Sequence, residues 1–141
     1  MSAVFHGQGM LAATKALFNV TSAPTGTPTL KYLKSYTYNP DHAFWSDISA
    51  SVASGAPSVA ISGLSITYDS TNNRVAIDFT DPSNGSITTD TDGIAIIIDT
   101  GVAATSPIVY STSITNLTPV NGTLSLTLNA NGLCAINSAT A

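Results

Sequence analysis

The chain has 141 residues, of which 43% are hydrophobic and only 9% are charged, and its formal net charge is −4. Four Lys and Arg residues are too few to neutralise a nucleic-acid backbone or to form a basic membrane-binding helix, so we expect neither partner. The 18 Ser, the 20 Thr and the absence of Glu disfavour a mostly helical fold and are typical of β-sheets with neutral polar outer faces.

The N-terminal region is predicted to differ from the rest of the chain. We interpret residues 1–9 ("MSAVFHGQG") as an arm and residues 10–141 as one domain, with a short amphipathic helix over Met10–Phe18. The arm is uncharged and contains two glycines, so we expect it to be mobile in the isolated protein and to dock on a neighbouring subunit. It supplies three candidate protein–protein contacts, which are Val4, Phe5 and His6.

Short β-strand patterns follow at regular spacing between turn signals. They are "LKYLKSYTY" (30–38), "SVAISGLSITYD" (58–69), "RVAIDF" (74–79), "GIAIIID" (93–99), "IVYSTSI" (108–114), "TLSLTL" (123–128) and "LCAI" (133–136). Asn-Gly pairs at 121–122 and 131–132 are hairpin-turn signals. The pattern predicts an all-β domain, an antiparallel β-sandwich or a jelly-roll-like arrangement.

Two of these regions also predict which side chains are buried. Residues 58–69 and 74–80 are expected to pair as an antiparallel hairpin, with the alternating apolar side chains inside. Those side chains are Leu64, Ile66, Tyr68, Val75, Ile77 and Phe79. The run "IAIII" (94–98) is apolar on both faces, which predicts a strand that is central in its sheet or covered by a partner.

The stretch "YNPDHAFWSDIS" (38–49) concentrates aromatic and polar residues in a chain with few charges. Pro40 favours a turn, and Asp41 is expected to cap a short helical turn after it. One interpretation is a corner whose aromatic side chains plug the end of the sandwich. The other is a contact with another protein chain, for which the candidates are Phe44 and Trp45.

Residues that could carry catalysis are scarce. A Ser or Thr nucleophile needs a neighbouring base, and the only histidines are His6, on the arm, and His42. The single Cys134 is expected to be a small buried apolar residue, since it has no partner for an internal disulfide. The sequence therefore predicts no enzymatic activity and no cofactor.

One segment partly matches a calcium-binding loop. "TTDTDGIAIIID" (88–99) places Asp90, Asp92 and Asp99 at ligand positions of such a loop. However, Thr88 stands where Asp is expected, and a buried strand begins inside the segment. We therefore interpret it as an acidic solvated loop and predict no metal site.

The serial order of four stretches resembles a family of small tailed-bacteriophage virion proteins. They are "SYTYNPDHAFWSDIS", "LSITYDSTNNRVAIDF", "GIAIIIDTGVAATSPIVY" and "NGTLSLTLNANGLCAI". The resemblance extends from about residue 12 to residue 136. The chain departs from the family's usual pattern in two loops, "ASGAPSV" (53–59) and "FTDPSNGSITTD" (79–90).

The resemblance implies a non-enzymatic structural protein of the virion. The first expectation is a capsid decoration (cement) protein on the capsid surface, which binds the major capsid protein and copies of itself as a homo-oligomer. The alternative is a tail, fibre or adsorption component that binds a host receptor or glycan, in which Trp45 would stack on sugars. A small hydrolase is a third hypothesis, and the lack of a base beside a nucleophile disfavours it.

Overall fold

The computed structural model describes residues 4–5, 25–56, 58–71, 74–85, 89–119, 123–126 and 134–137. These residues form β-strands in antiparallel sheets together with one turn of α-helix and two short 3-10 helices. The predicted all-β, antiparallel class is confirmed, whereas the sandwich or jelly-roll arrangement stays a prediction. The predicted helix over Met10–Phe18 lies outside the described residues.

The described strands form three sheets. In chain order the strands are β1 (Val4–Phe5), β2 (Thr27–Leu33), β3 (Val59–Ala60), β4 (Ser65–Asp69), β5 (Arg74–Asp78), β6 (Ser83–Gly85), β7 (Thr91–Asp99), β8 (Ile108–Leu117), β9 (Thr123–Ser125) and β10 (Cys134–Asn137). The sheet orders are β1-β8-β7-β2-β3, β10-β5-β4 and β6-β9. The helix is α1 (Trp45–Ile48), and the 3-10 helices are η1 (Ser49–Ser51) and η2 (Ala103–Thr105).

Strand β7 lies at the centre of the five-stranded sheet, between β2 and β8. It pairs with β2 in continuous register from Thr27 opposite Asp99 to Leu33 opposite Gly93. Side chains on both of its faces are buried, since Ile96 is 8% exposed and Ile97 is fully buried. This confirms that the "IAIII" run forms a central strand covered on both faces.

Two apolar clusters lie on the two faces of this sheet. The first contains Leu30, Tyr32, Ile94, Ile96 and Tyr110, together with Phe79 from the end of β5 and Leu126 from the end of β9. The second contains Leu33, Ala95, Ile97 and Ile108, together with Tyr36 and Ile48, with Tyr38 and Trp45 packed against it. The 36–48 segment therefore covers the second face of the sheet.

The single strand predicted over 58–69 is interrupted. Its first part, β3, joins the five-stranded sheet, and its second part, β4, joins the three-stranded sheet. Between them Gly63 adopts a φ of 63°, which favours glycine, and a Cβ atom there would collide with Oγ1 of Thr80. The N–H of Thr80 donates to the carbonyl of Ser62 at 3.0 Å, which fixes this approach.

The predicted hairpin forms, but the predicted burial is wrong for β4. Strand β4 pairs antiparallel with β5, with Ile66 opposite Ile77. Phe79 is buried, whereas Leu64, Ile66 and Tyr68 are 50, 64 and 65% exposed. Ser65 and Thr67 on the other face are exposed too, so the error is not a one-residue slip. Strand β4 is at the edge of the three-stranded sheet, and the side chains on both of its faces are largely exposed. The side chain of Val75 lies outside the described ones.

The closing hairpin expected from the Asn-Gly signals is also not the observed pairing. In the described residues β9 pairs with β6, and β10 pairs with β5, with Cys134 opposite Ile77. Strand pairing is chosen by long-range packing, and the turn signals report only local backbone preference. The burial predicted for Cys134 concerns a side chain outside the described ones.

Candidate functional site

The corner, residues 39–48, begins with a turn and a cap. Oδ1 of Asn39 accepts the N–H of Asp41 at 2.9 Å, as expected of an Asn side chain in a turn. The carboxylate of Asp47 accepts the N–H groups of Ala43 and Phe44 at 2.8 and 2.9 Å. The prediction that Asp41 caps the helix is therefore wrong, because Asp47 reaches back from the third helical position to two free N–H groups. The N–H of Phe44, followed by that of Ala43, lowers the pKa of Asp47 below its usual value.

Backbone hydrogen bonds attach the corner to the five-stranded sheet. The N–H of Trp45 donates to the carbonyl of Ser106 at 2.8 Å, and the N–H of Ile108 donates to the carbonyl of Ala43 at 2.9 Å. Ile48 is buried, whereas Phe44 and Trp45 are half-buried. The corner therefore covers one face of the sheet, and both aromatic residues keep accessible surface; a plug at the end of a sandwich stays a prediction.

A buried lysine supports the corner from the sheet. Nζ of Lys31 donates to Oγ of Ser58 at 2.6 Å and to Oδ2 of Asp99 at 3.3 Å, and it lies 5.1 Å from the centre of the Trp45 ring. These interactions compensate for the hydration that the ammonium group loses, since Lys31 is largely removed from water. The N–H of Gly101 and, to a smaller extent, Lys31 lower the pKa of Asp99.

The calcium-loop residues do not converge. Asp92 and Asp99 lie near opposite ends of β7. They are seven positions apart in the sequence, which corresponds to about 23 Å along an extended strand. Asp92 instead accepts the N–H groups of Ser35 and Tyr36 at 3.0 and 3.3 Å. The interpretation as a solvated loop is wrong for residues 91–92, where β7 already begins, and residues 93–99 form the predicted strand. In the described part of the chain no three His, Cys, Asp or Glu residues are grouped as metal ligands.

Part of the arm has a place in its own domain. Val4 pairs with Ser111 and Phe5 with Tyr110, so β1 forms one edge of the five-stranded sheet beside β8. The expectation that the arm docks on a neighbouring subunit is therefore wrong for the backbone of these two residues, which pairs within the same chain. His6 lies outside the described residues.

One exposed apolar position lies next to the corner. Val102 is 58% exposed in the loop before η2, which contacts α1. Hydroxyl groups hold this loop, since Oγ of Ser106 donates to the carbonyl of Val102 at 2.9 Å and accepts the N–H of Thr100 at 3.0 Å. Phe44 and Trp45, at the start of α1, and Val102, just before the η2 segment that contacts α1, are grouped under the name corner surface.

A second exposed apolar surface lies on and beside β4. The β4 row consists of Leu64, Ile66 and Tyr68, each at least half exposed. The sequence pattern identifies the alternation of these residues but not their exposure, because a covered row alternates in the same way.

The β4 row borders an apolar cleft between the sheets. The cleft has a volume of about 150 Å³. Its lining residues are all apolar or aromatic: Pro28, Ile61, Leu64, Ile66, Ile77, Phe79, Ile96, Ile98, Val109 and Tyr110. Leu64 and Ile66 are the exposed members of this set, so the cleft opens beside β4.

The comparisons with known proteins found no match to this chain. No protein-family model matches it, and neither a curated protein nor a solved structure does. Across the described residues, the helices are too short or too polar to span a bilayer.

Proposed function

We propose that the chain is a non-enzymatic structural protein of a bacteriophage virion, and specifically a capsid decoration protein on the capsid surface. In this role it binds the major capsid protein and copies of itself. The observation that carries the proposal is the pair of separate exposed apolar surfaces, the corner surface and the β4 row. They lie on a chain with four basic and eight acidic residues, twelve charges in all.

Exposed apolar and aromatic side chains favour a binding role. Contiguous exposed apolar surface marks contact sites more often than chance exposure does, and interface centres are poor in charge and rich in Tyr, Trp and Phe. Two such surfaces on one small domain favour a protein that binds two partners at the same time. A protein that binds the capsid shell and also contacts its own copies needs two such surfaces.

The carboxylates support a structural role as well. Asp47, Asp92 and Asp99 each accept backbone N–H groups, in the α1 cap, beside residues 35–36 and at Gly101. A carboxylate held in this way stabilises a turn or helix end. Three of the eight acidic residues therefore have a structural role, the stabilisation of backbone turns and helix ends, that does not involve catalysis.

The number of copies in purified particles of the encoding phage tests this proposal. Quantitative mass spectrometry should find hundreds of copies per particle, and immunogold labelling should mark the head. Six to a few tens of copies, with label on the tail, would favour the tail, fibre or adsorption role. Absence from purified particles would overturn the virion assignment altogether.

A pair of variants tests the corner surface as the contact with the shell. Val102→Lys places a charge in the loop before η2, the segment that contacts α1. In an assay with shells from which the protein is missing, this variant should decorate at least tenfold less than the wild type. Thr118→Lys is the matched control, because Thr118 is exposed after β8, whereas the corner contacts the start of that strand. Equal decoration by both variants would move the shell contact away from the corner surface.

A further inference from the structure

We propose that the β4 row is a self-association surface, at which β4 of one copy pairs antiparallel with β4 of a second copy about a two-fold axis. This inference names the surface for the contact between copies that is part of the proposed function and in that respect rests on it, whereas its test is made in solution and needs no virion. It follows from the position of β4, from its sequence and from the area that the row leaves exposed.

Strand β4 presents an open edge. It pairs with β5 on one side, and in the described part of the chain no strand pairs with its other side. Edge strands in monomeric proteins are usually protected by charges, prolines or a covering element. Residues 62–68, "SGLSITY", contain neither a charge nor a proline. The charge on β4 is confined to its last residue, Asp69, so residues 62–68 carry none of the features that usually prevent pairing with an identical strand.

A two-fold axis through Ile66 makes the row complementary to itself. In that register Ile66 lies opposite its own copy, Leu64 lies opposite the partner's Tyr68, and Ser65 lies opposite the partner's Thr67. Apolar side chains then meet on one face and hydroxyl side chains on the other. Asp69 lies opposite the partner's Gly63, so no two carboxylates face each other.

The exposed area indicates the strength of the pairing. Side chains exposed by 50, 64 and 65% leave on the order of 300 Å² per copy, since large side chains each present roughly 150–250 Å². Two copies can bury at most about 600 Å² through the row, because edge pairing covers the flanks of the side chains and not their whole exposed surface; this is below the ~1,200–2,000 Å² of stable interfaces. Backbone pairing and closure of the cleft mouth by the partner's Tyr68 add to this area. The geometry thus favours a weak, concentration-dependent dimer.

Sedimentation equilibrium of the full chain tests the proposal directly. The wild type should associate reversibly with a dissociation constant of roughly 1–100 µM, and Ile66→Lys should weaken this at least tenfold. Val102→Lys, the same kind of change at another exposed apolar residue, should leave it unchanged. A wild type that remains monomeric at several hundred micromolar, or an effect of Val102→Lys equal to that of Ile66→Lys, would overturn the proposal.

Disulfide trapping tests the register and does not depend on a disruptive variant. In a Cys134→Ala background, Ile66→Cys should form a covalent dimer, because residues facing each other across an antiparallel pair have Cα atoms about 4.5–5.5 Å apart, within disulfide range. Leu64→Cys and Tyr68→Cys should cross-link poorly alone and efficiently when mixed. Cross-linking by Val102→Cys as fast as by Ile66→Cys, or no preference for the mixture, would rule out this register.

The dimer and the virion role can fail separately. A protein that is abundant in particles but monomeric in solution, and that gives no Ile66→Cys cross-link, would overturn the β4 pairing and leave the proposed function standing. A dimeric protein that is absent from particles would overturn the virion role and leave the β4 pairing standing.

Discussion

Strands β7 and β4 both carry large apolar residues and have opposite environments. The run at 94–98 in β7 is apolar on both faces, whereas β4 alternates apolar and polar residues; Ile97 in β7 is fully buried and Ile66 in β4 is 64% exposed. β7 has strand neighbours on both sides and an apolar cluster on each face, whereas β4 has one strand neighbour among the described residues. The comparison teaches that alternation predicts a strand with an apolar face, and that cover for this face is a separate property.

The largest expected effect is at the centre of β7. Ile97→Asp places a carboxylate at a fully buried position whose basic neighbour on the same face, Lys31, is already bonded to Ser58 and Asp99, and we expect a loss of several kcal/mol and failure to fold. Circular dichroism and solubility measure this outcome. Ile97→Val should cost only about 0.5–1.5 kcal/mol and remain folded. A soluble, folded Ile97→Asp protein would contradict the burial of β7 on both faces.

The next effect concerns the point where the chain changes sheets. Gly63→Ala combines a positive φ with a collision against Thr80, and we expect a loss of about 1–3 kcal/mol in the free energy of unfolding. Gly101→Ala is the matched control, since Gly101 has a φ of 85° and nothing within 4 Å of an added Cβ. Urea denaturation should show the larger loss for Gly63→Ala. Equal losses would mean that the contact with Thr80 does not fix the break between β3 and β4.

A smaller effect is expected in the corner that covers the second face of β7. Asp47→Ala removes the acceptor of two N–H groups at the start of α1 and should cost about 1 kcal/mol, whereas Asp41→Ala should cost little. The folded pKa of Asp47 is lowered, so its contribution is present at neutral pH and is lost as the pH falls below about 4 and through the folded pKa. The difference between wild type and Asp47→Ala should shrink over that range. A constant difference would show that the charge is not involved.

The smallest effect is expected at the β4 row. Ile66→Lys should change the free energy of unfolding of the monomer by no more than about 0.5 kcal/mol, because the side chain is already mostly in water. Chemical denaturation at low micromolar concentration measures this without a contribution from self-association. A loss above about 2 kcal/mol would mean that Ile66 is covered within its own chain, and the contrast with β7 would disappear.

The sequence predicts most of the strands and part of the candidate surfaces. Local patterns predict the β4–β5 pairing, the central position of β7 and a turn followed by a short helix in the corner. Local patterns do not predict the exposure of Ile66, the use of Asp47 as the cap or the pairing of β10 with β5. The sequence predicts Asp41 as the cap because it follows Pro40 in the turn, whereas the observed start of α1 after Phe44 places Asp47 within reach of two N–H groups.

By itself, then, the sequence determined the all-β class, because its charge-poor, Thr-rich composition and its period-two apolar segments suit antiparallel strands and little else. It also determined that residues 94–98 must be buried, because a run that is apolar on both faces has no face to leave in water. The tertiary structure alone decided which one-sided strands are covered and which partners they choose. These outcomes depend on side chains distant in the sequence, such as Thr80 at Gly63 and Ser58 and Asp99 at Lys31, and no local pattern records such contacts.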